Sequence, residues 1–213
     1  MKPLVGVLAL QGDFAEHCRA LTACGADSIQ VRTAAQLNGI DGLIIPGGES
    51  TTIAKLTEDT SDPIFNAIRN LSTAGMPVYG TCMGSIFLAK EIEGSKQGRL
   101  ALMDIKVKRN AFGPQGCSFE IDLDIPALGT EPFAAIFIRA PVIVSCGPTV
   151  TVLARLDEGI VMARQDNLLV SAFHPEITPD KRVHQYFLSM VDEYRTREGC
   201  TVPAVRCTAS SLT

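Results

Sequence analysis

The stretch "MPVYGTCMGSIFLA", residues 76–89, carries the pattern that decides the fold. An apolar run ends at a glycine-bounded turn, and a helix-like pattern follows, which predicts a strand, a sharp turn and a helix over "MGSIFLAKEI" (83–92). Cys82 lies at the turn, between Gly80 and Gly84. Two interpretations stay open at this point: Cys82 is either an exposed nucleophile or a small buried residue.

The same alternation of strand and helix extends across residues 3–92. "PLVGVLAL" (3–10) is an apolar run followed closely by Gly12, and "DGLIIPGG" (41–48) is one broken by Pro46, Gly47 and Gly48. "SIQVR" (28–32) is a shorter strand candidate. Helices are predicted over 13–25, 50–60 and 62–74, the last with Asp62 as N-cap and Pro63 at its first position. This alternation predicts a parallel sheet with helices on both faces.

Residues 98–173 follow a different pattern, in which short β-like runs are separated by Gly, Pro and Asp. We expect these runs to extend the sheet and to add antiparallel strands on one side. A helix is predicted over 180–198 from a single apolar stripe. The expected organisation is one domain, residues 1–195, and a tail, residues 196–213, that is mobile or loosely docked.

Composition excludes several classes of protein. The chain has 213 residues, 46% of them hydrophobic, with a net charge of −4 and no cluster of basic residues, so a nucleic-acid partner is not expected. No apolar run approaches the roughly 20 residues of a membrane span. The seven cysteines are odd in number and contain no CxxC pair, which argues against a disulfide framework and a zinc site and favours the cytoplasm.

Two further motifs are candidates for chemistry. "FHPE" places His174 and Glu176 two residues apart, so that in extended chain they would point to the same side, with the carboxylate orienting the imidazole. "PGGES" offers backbone N–H groups at Gly47 and Gly48 as oxyanion donors, together with Glu49 for a substrate ammonium. The other histidines, His17 and His184, fall within predicted helices and are interpreted as non-catalytic.

Six segments taken together resemble one family: "GVLALQGDFAEH" (6–17), "PGGEST" (46–51), "GTCMG" (80–84), "RNAFGPQGCSFE" (109–120), "FIRAP" (137–141) and "FHPE" (173–176). They closely resemble the glutaminase subunits of pyridoxal 5′-phosphate synthases, which are class I, triad-type glutamine amidotransferases. The resemblance covers roughly residues 4–195. It implies a flavodoxin-like α/β fold with a mostly parallel central sheet and added antiparallel strands.

The resemblance also implies residue roles. Cys82 is the expected nucleophile, His174 the general base and acid, and Glu176 the residue that orients His174. The expected glutamine contacts are Gly47, Gly48, Glu49, Arg109, Ile138 and Arg139, and the expected oxyanion donors are Met83 and Gly48. Either arginine suits the α-carboxylate of glutamine, and the sequence does not choose between them. Family members usually carry alanine where this chain has Met83.

The implied activity is hydrolysis of L-glutamine to L-glutamate and ammonia, without a metal or an organic cofactor. The implied partner is the barrel-shaped synthase subunit of a hetero-oligomeric complex, which receives the ammonia, and we expect it to dock around Gln11 and Gly12. Two alternatives stay open. The chain could serve another acceptor, as in the histidine or purine pathways, or it could be a non-catalytic regulatory subunit, although such a subunit would be expected to have a broken triad.

Overall fold

The structure is a computed structural model, and it describes residues 1–48, 62–112 and 118–199. The predicted helix over 50–60 therefore lies outside the described residues, as do Glu49 and residues 200–213. None of the helices in the described ranges has the length and hydrophobicity that a membrane crossing needs.

One large sheet dominates the molecule, and a separate hairpin lies beside it. The strands of the described chain are β1 Leu4–Leu8, β2 Asp27–Val31, β3 Gly42–Ile45, β4 Val78–Thr81, β5 Ala89–Ile92, β6 Met103–Lys108, β7 Ser118–Leu123, β8 Phe133–Ile138, β9 Val142–Cys146, β10 Thr151–Leu156, β11 Gly159–Gln165 and β12 Leu168–Ser171. The order across the large sheet is β2-β1-β3-β4-β12-β11-β9-β6-β5, with β10 paired to β11.

The first half of this order is the predicted parallel sheet. Strands β2, β1, β3, β4 and β12 are parallel to their neighbours. Every residue of β3, β4 and β12 is buried, as expected for strands covered on both faces. The carboxyl ends of β3, β4 and β12 consequently lie side by side at one edge, although β12 is separated from β4 by almost ninety residues of sequence.

The second half contains the added strands on one side, as predicted. Strand β11 is antiparallel to β12, β9 and β10, and β6 is antiparallel to β9. Strands β7 and β8 pair only with each other in the described chain, from Ser118 opposite Ile138 to Leu123 opposite Phe133. This hairpin brings the end of β8 to the same edge as the ends of β3, β4 and β12.

Helices cover both faces of the sheet. They are α1 Phe14–Ala23, α2 Pro63–Thr73, α3 Met83–Leu88 and α4 Arg182–Gly199. Asp62 caps α2 by accepting a hydrogen bond from the N–H of Ile64 at 2.9 Å, as its sequence predicts. Side chains of α2 and α3 belong to one hydrophobic core, and those of α1 and α4 belong to another.

The helix after Cys82 is shorter than predicted. It ends at Leu88, and Ala89–Ile92 forms β5 instead of the last helical turn. The prediction of helix over 83–92 is wrong for these four residues because β5 pairs with β6, Ala89 opposite Met103 and Ile92 opposite Val107. Local helix propensity is a weak preference, and this tertiary pairing outweighs it. At the other end of the chain, α4 continues to Gly199, beyond the expected domain limit at residue 195.

Candidate active site

The candidate site forms where β3, β4 and β12 end. Ile45 lies opposite Gly80, and Thr81 lies opposite Ser171, so the three strands finish in register. The backbone N–H of Cys82 then donates to the carbonyl of Ser171 at 2.7 Å. The loops that follow the three strands carry Gly47, Cys82 and His174, and parallel strand pairing brings these loops together.

Cys82 lies at a strained turn between β4 and α3. Its φ is +49° and its ψ is −107°, a conformation that non-glycine residues rarely adopt. The glycines on either side are required by close approach. A β-carbon on Gly80 would lie 2.5 Å from the carbonyl oxygen of Gly84, and one on Gly84 would collide with the carbonyl oxygen of Ile45. The GxCxG pattern therefore has the physical basis that its sequence suggests.

His174 and Glu176 form the predicted pair. Nδ1 of His174 lies 2.7 Å from Oε1 of Glu176, and both residues are buried. One expectation is wrong: the two residues do not lie on extended chain, because Pro175–Ile177 forms a 3₁₀ turn. The backbone N–H of His174 donates to the carbonyl of Ile136 in β8 at 2.8 Å, which fixes the start of that turn.

The electrostatics of this group favour a protonated imidazole. Burial lowers the pKa of His174, but hydrogen bonds to Cys82 and Glu176, together with the negative charges of both, raise it to about 10. Gly47 lies against the two side chains, since a β-carbon there would lie 2.7 Å from Cε1 of His174 and 3.1 Å from Cβ of Cys82. The arrangement can therefore hold an imidazolium beside a thiolate, the form in which a cysteine is a nucleophile.

A cavity of about 480 Å³ opens over Cys82 and His174. Seven of the residues predicted from the sequence line it: Gly48, Cys82, Met83, Arg109, Ile138, Arg139 and His174. Glu176 lies behind His174, and Gly47 lies between the cysteine and the histidine. The side chain of Met83, which the sequence leaves unexplained, is buried in the core shared by α2 and α3 as well as lining the cavity.

The residues predicted to contact substrate differ in their exposure and in the hydrogen bonds that they already make. The N–H of Gly47 already donates to Oγ1 of Thr81 at 3.0 Å. Nη1 of Arg109 donates to Oε1 of Gln97 at 3.0 Å, whereas Arg139 is exposed and has a φ of +44°. The carbonyl of Ile138 lies 3.8 Å from Sγ of Cys82. Arg109 and Arg139 nevertheless both line the cavity that Cys82 lines.

The two residues predicted for the partner interface lie against the glycine turn. A β-carbon on Gly12 would collide with the carbonyl oxygen of Gly47, and one on Gly48 would collide with the side-chain amide of Gln11. Nε2 of Gln11 is buried and has no hydrogen-bond partner in the part of the chain that the structure describes. The loop after β1 is thus in direct contact with residues 47 and 48.

Sequence reasoning missed several residues of this site. Asp13, Ile86, Asn110 and Pro141 also line the cavity. Oδ2 of Asp13 lies 3.6 Å from Nδ1 of His174. Asp13 directly follows "LALQG" at the carboxyl end of β1, beside β3, so the edge rule that identifies the other loops would have found it.

Asp13, His174 and Glu176 are the only group with the spacing of metal ligands among residues 1–48, 62–112 and 118–199, their atoms lying within 4.8 Å of one another. The Nδ1 atom that such a site would use is already hydrogen-bonded to Glu176 at 2.7 Å. The group is therefore a hydrogen-bonded pair, His174 and Glu176, with the carboxylate of Asp13 nearby at 3.6 Å from Nδ1 of His174.

The sequence of this chain is similar to those of known glutamine amidotransferases and of their relatives. The profile of the SNO glutamine amidotransferase family matches residues 7–193. A pyridoxal 5′-phosphate synthase subunit PdxT of Pelotomaculum thermopropionicum is 60% identical over 86% of this chain and 93% of its own length. The corresponding subunit of Carboxydothermus hydrogenoformans is 56% identical, over 88% and 97%.

Solved structures agree in fold. A crystal structure of a glutamine amidotransferase has 48% identity and a TM-score of 0.82, covering 88% of this chain and 98% of that one. PurLQS from Thermotoga maritima, at 17% identity and a TM-score of 0.67 over 89% and 99%, shares the fold alone. With the family profile spanning most of its length, this chain belongs to the SNO glutamine amidotransferase family.

Proposed function

We propose that this chain is the glutaminase subunit of a pyridoxal 5′-phosphate synthase, hydrolysing L-glutamine and passing ammonia to a synthase subunit. One observation carries the proposal: Cys82, His174 and Glu176 lie together beneath a cavity that two arginines also line. The names of relatives 56% to 60% identical supply the pathway. These names also favour this pathway over the histidine and purine alternatives.

In the proposed reaction, Cys82 attacks the side-chain amide carbon of glutamine. His174 already holds the thiol proton as an imidazolium, so the attacking group is a thiolate paired with that imidazolium. A carbon–sulfur bond forms, and the carbonyl electron pair moves onto oxygen. The intermediate collapses by breaking the carbon–nitrogen bond, and His174 returns its proton to the leaving ammonia. A γ-glutamyl thioester remains. His174 takes a proton from water, the water oxygen bonds to the acyl carbon, and cleavage of the carbon–sulfur bond releases glutamate and restores the thiolate beside the imidazolium.

Two backbone N–H groups stabilise the oxyanion in this proposal. Met83 directly follows Cys82 in the sequence, at the first position of α3, so its backbone N–H is the first one after the nucleophile. Gly48 supplies the second donor, because the N–H of Gly47 already donates to Thr81. Oxyanion donors act where charge develops in the transition state, and removing one costs about 10²–10³-fold in kcat.

Charge at the cavity suits the rest of glutamine. Arg109 and Arg139 present positive groups for the α-carboxylate, and a guanidinium is the side chain best suited to a carboxylate. Asp13 lines the same cavity and offers a carboxylate to the α-ammonium, a role that the sequence suggested for Glu49. A substrate with both groups and a neutral amide therefore fits the distribution of charges.

Ammonia released into water would be protonated and diluted, so the proposed subunit works with a synthase subunit that captures it. We place the docking surface around Gln11 and Gly12. Both residues are packed against the glycine turn that holds the proposed oxyanion donor, so a partner bound there would bear directly on Gly48. The cytoplasm remains the predicted location.

The test is glutamate release from glutamine, measured with and without the synthase subunit. We expect release by the wild-type chain to rise when the synthase subunit is added, and Cys82→Ala to abolish it. A matched control is Cys146→Ala, since Cys146 is exposed in β9 and does not line the cavity. Full activity of Cys82→Ala would overturn the proposal. Activation only by a synthase of another pathway would overturn the assignment to vitamin B6 synthesis.

A further inference from the structure

Two histidines that the proposed reaction does not use are buried beside its carboxylate. His17 on α1 and His184 on α4 are both fully buried, and Nδ1 of His17 lies 3.0 Å from Nε2 of His184. With His174, they are the three histidines of the chain. A hydrogen bond that joins residues 167 positions apart, on two different helices, indicates a built arrangement and not a local contact.

The second nitrogen of His17 faces the proposed triad. Nε2 of His17 lies 3.4 Å from Oε2 of Glu176 and 3.2 Å from Oγ1 of Thr81. Glu176 uses its other oxygen, Oε1, to contact His174. Within the described chain no strictly aligned hydrogen bond reaches Oε2, so the nitrogen of His17 is the nearby group that can satisfy it.

The charge state of the pair is neutral. Burial lowers the pKa of His17 well below its ordinary value, and repulsion between a protonated His17 and the neighbouring basic groups His184, His174 and Lys181 lowers it further. Burial and the charge of Lys181 lower the pKa of His184 to about 3. Each imidazole therefore carries one ring hydrogen, and the hydrogen bond between them requires one ring to donate and the other to accept.

Only one of the two arrangements suits the carboxylate. If His17 donated from Nδ1, its Nε2 would present a lone pair to a buried carboxylate oxygen, which is repulsive and leaves Oε2 unsatisfied. If His184 donates from Nε2 to Nδ1 of His17, then Nε2–H of His17 donates to Oγ1 of Thr81 and turns the positive end of its N–H dipole towards Oε2 of Glu176, which lies 3.4 Å from Nε2. The second arrangement therefore places a donor, and not a lone pair, 3.4 Å from the buried carboxylate oxygen.

We propose that His17 is a positioning residue for glutamine hydrolysis: as the Nε2–H tautomer fixed by His184, it holds Oε2 of Glu176 while Oε1 holds His174. This inference rests on the proposed function, since it assumes that Glu176 orients the general base. The same nitrogen contacts Thr81, whose hydroxyl accepts from Gly47. His17 therefore supports both the carboxylate and the glycine turn that lies against Cys82.

The tautomer can be measured without any assay of activity. In the ¹⁵N-labelled full-length chain, long-range proton–nitrogen spectra distinguish a protonated ring nitrogen from an unprotonated one, and three histidines give three spin systems. Loss of one system in His17→Gln assigns His17. We expect Nε2–H for His17 and for His184. The Nδ1–H tautomer for His17 at neutral pH would overturn the inference.

Kinetics supply a second, independent readout. His17→Phe removes the donor and keeps a flat ring, whereas His17→Gln places an amide N–H near the former Nε2. We expect His17→Phe to lower kcat about 10- to 100-fold with the KM for glutamine changed less than about twofold, because the N–H that faces the buried carboxylate and bonds to Thr81 is lost. His17→Gln should recover most of that loss. Equal activity of the two variants would overturn the inference.

Loss of packing alone is separated by a control on the same helix. Leu21 is fully buried in α1 and does not line the cavity, so Leu21→Ala should lower Tm while kcat of the folded protein stays near that of the wild type. The two proposals also fail separately. An active Cys82→Ala would refute the proposed function whatever the tautomer, and a Nδ1–H tautomer with an inactive Cys82→Ala would refute the positioning role alone.

Discussion

Nδ1 of His174 lies 2.7 Å from Oε1 of Glu176, and the side chain of Glu176 has no exposed surface. The carboxylate therefore acts on the imidazole from inside the protein, without competition from water, where electrostatic interactions are stronger. Substrate would reach His174 only from the cavity side, so the carboxylate can orient the base without contacting glutamine.

Glu176→Gln tests this relationship. The amide keeps the size of the side chain but removes the charge that favours the imidazolium, so we expect kcat for glutamate release to fall about 10²–10⁴-fold. Stability should fall as well, because removing one member of a buried charge pair leaves the imidazolium of His174 without its partner, so kcat is compared per folded molecule. Glu193→Gln, at a partly exposed carboxylate on α4 that pairs with Arg164, is the control and should keep full activity. An active Glu176→Gln would contradict the orienting role.

The titration of His174 gives a second prediction. Its pKa of about 10, against 6.5 for an ordinary histidine, means that the imidazolium persists through neutral pH. Its contribution to the free energy of unfolding is therefore complete below pH 6.5 and is lost as the pH rises towards 10. The pKa values of His17 and His184 are lowered, so proton NMR should show one histidine titrating in the alkaline range.

Cys82→Ala tests whether the thiol of Cys82 raises the pKa of His174. It removes the hydrogen bond and the charge of Cys82, two of the causes that raise the pKa of His174. We expect the titration of His174 to move to lower pH in this variant, and the alkaline loss of stability to move with it. Cys18→Ala, on α1 and outside the cavity lining, should leave the titration in place. An unchanged midpoint in Cys82→Ala would show that the thiol and the imidazole do not interact.

Gly47→Ala tests whether the close packing of residue 47 against His174 is needed for glutamine hydrolysis. Its β-carbon would lie 2.7 Å from Cε1 of His174, so the imidazole must move away from Cys82. A displacement of about 1 Å in an active site can cost about 10²-fold in rate, which is the loss expected here in kcat. Gly94→Ala is the control: its φ is +67° and no atom lies within 4 Å of the added carbon. It should reduce stability slightly and leave activity unchanged.

The position of the candidate site could be predicted from the sequence mainly because the order of the strands determines which loops lie side by side. The loops after β3, β4 and β12 follow recognisable apolar runs, and adjacent parallel strands bring their ends together whatever the distance along the chain. Ile138 and Arg139 could be assigned to the site only from the family resemblance. The sequence of β8 alone does not indicate that this strand pairs with β7 in a separate hairpin.

Other features depend on contacts that one sequence does not encode locally. Ala89–Ile92 has the composition of a helix end, yet pairing with β6 makes it a strand. The contact between His17 and His184 joins the first and last helices, and their separate amphipathic patterns indicate only that each faces a core. Asp13 could have been predicted as a site residue, since it follows β1, whose carboxyl end lies at the same edge of the sheet as the ends of β3, β4 and β12.

Met83 yields a prediction about stability. Its backbone is the proposed oxyanion donor, but its side chain is buried in a hydrophobic core. Met83→Ala should therefore lower the free energy of unfolding by about 2–5 kcal/mol, while kcat per folded molecule stays within about threefold. Met83→Leu conserves volume and should cost less than about 1.5 kcal/mol. Denaturant unfolding measures the first quantity. A large loss of kcat with unchanged stability would assign the side chain a role in substrate binding.

Gln11→Ala tests the proposed docking surface. The side-chain amide of Gln11 is packed against Gly48, so a partner that moves Gln11 on binding would alter the glycine turn. We expect Gln11→Ala to weaken complex formation with the synthase subunit and to lower synthase-stimulated glutamine turnover about tenfold or more, as measured by calorimetry and glutamate release. Gln185→Ala, at an exposed position on α4, controls for loss of a surface amide and should change neither. If Gln11→Ala changed neither quantity, the docking surface would have to lie elsewhere, because a residue at the centre of that surface cannot lose its side-chain amide without effect.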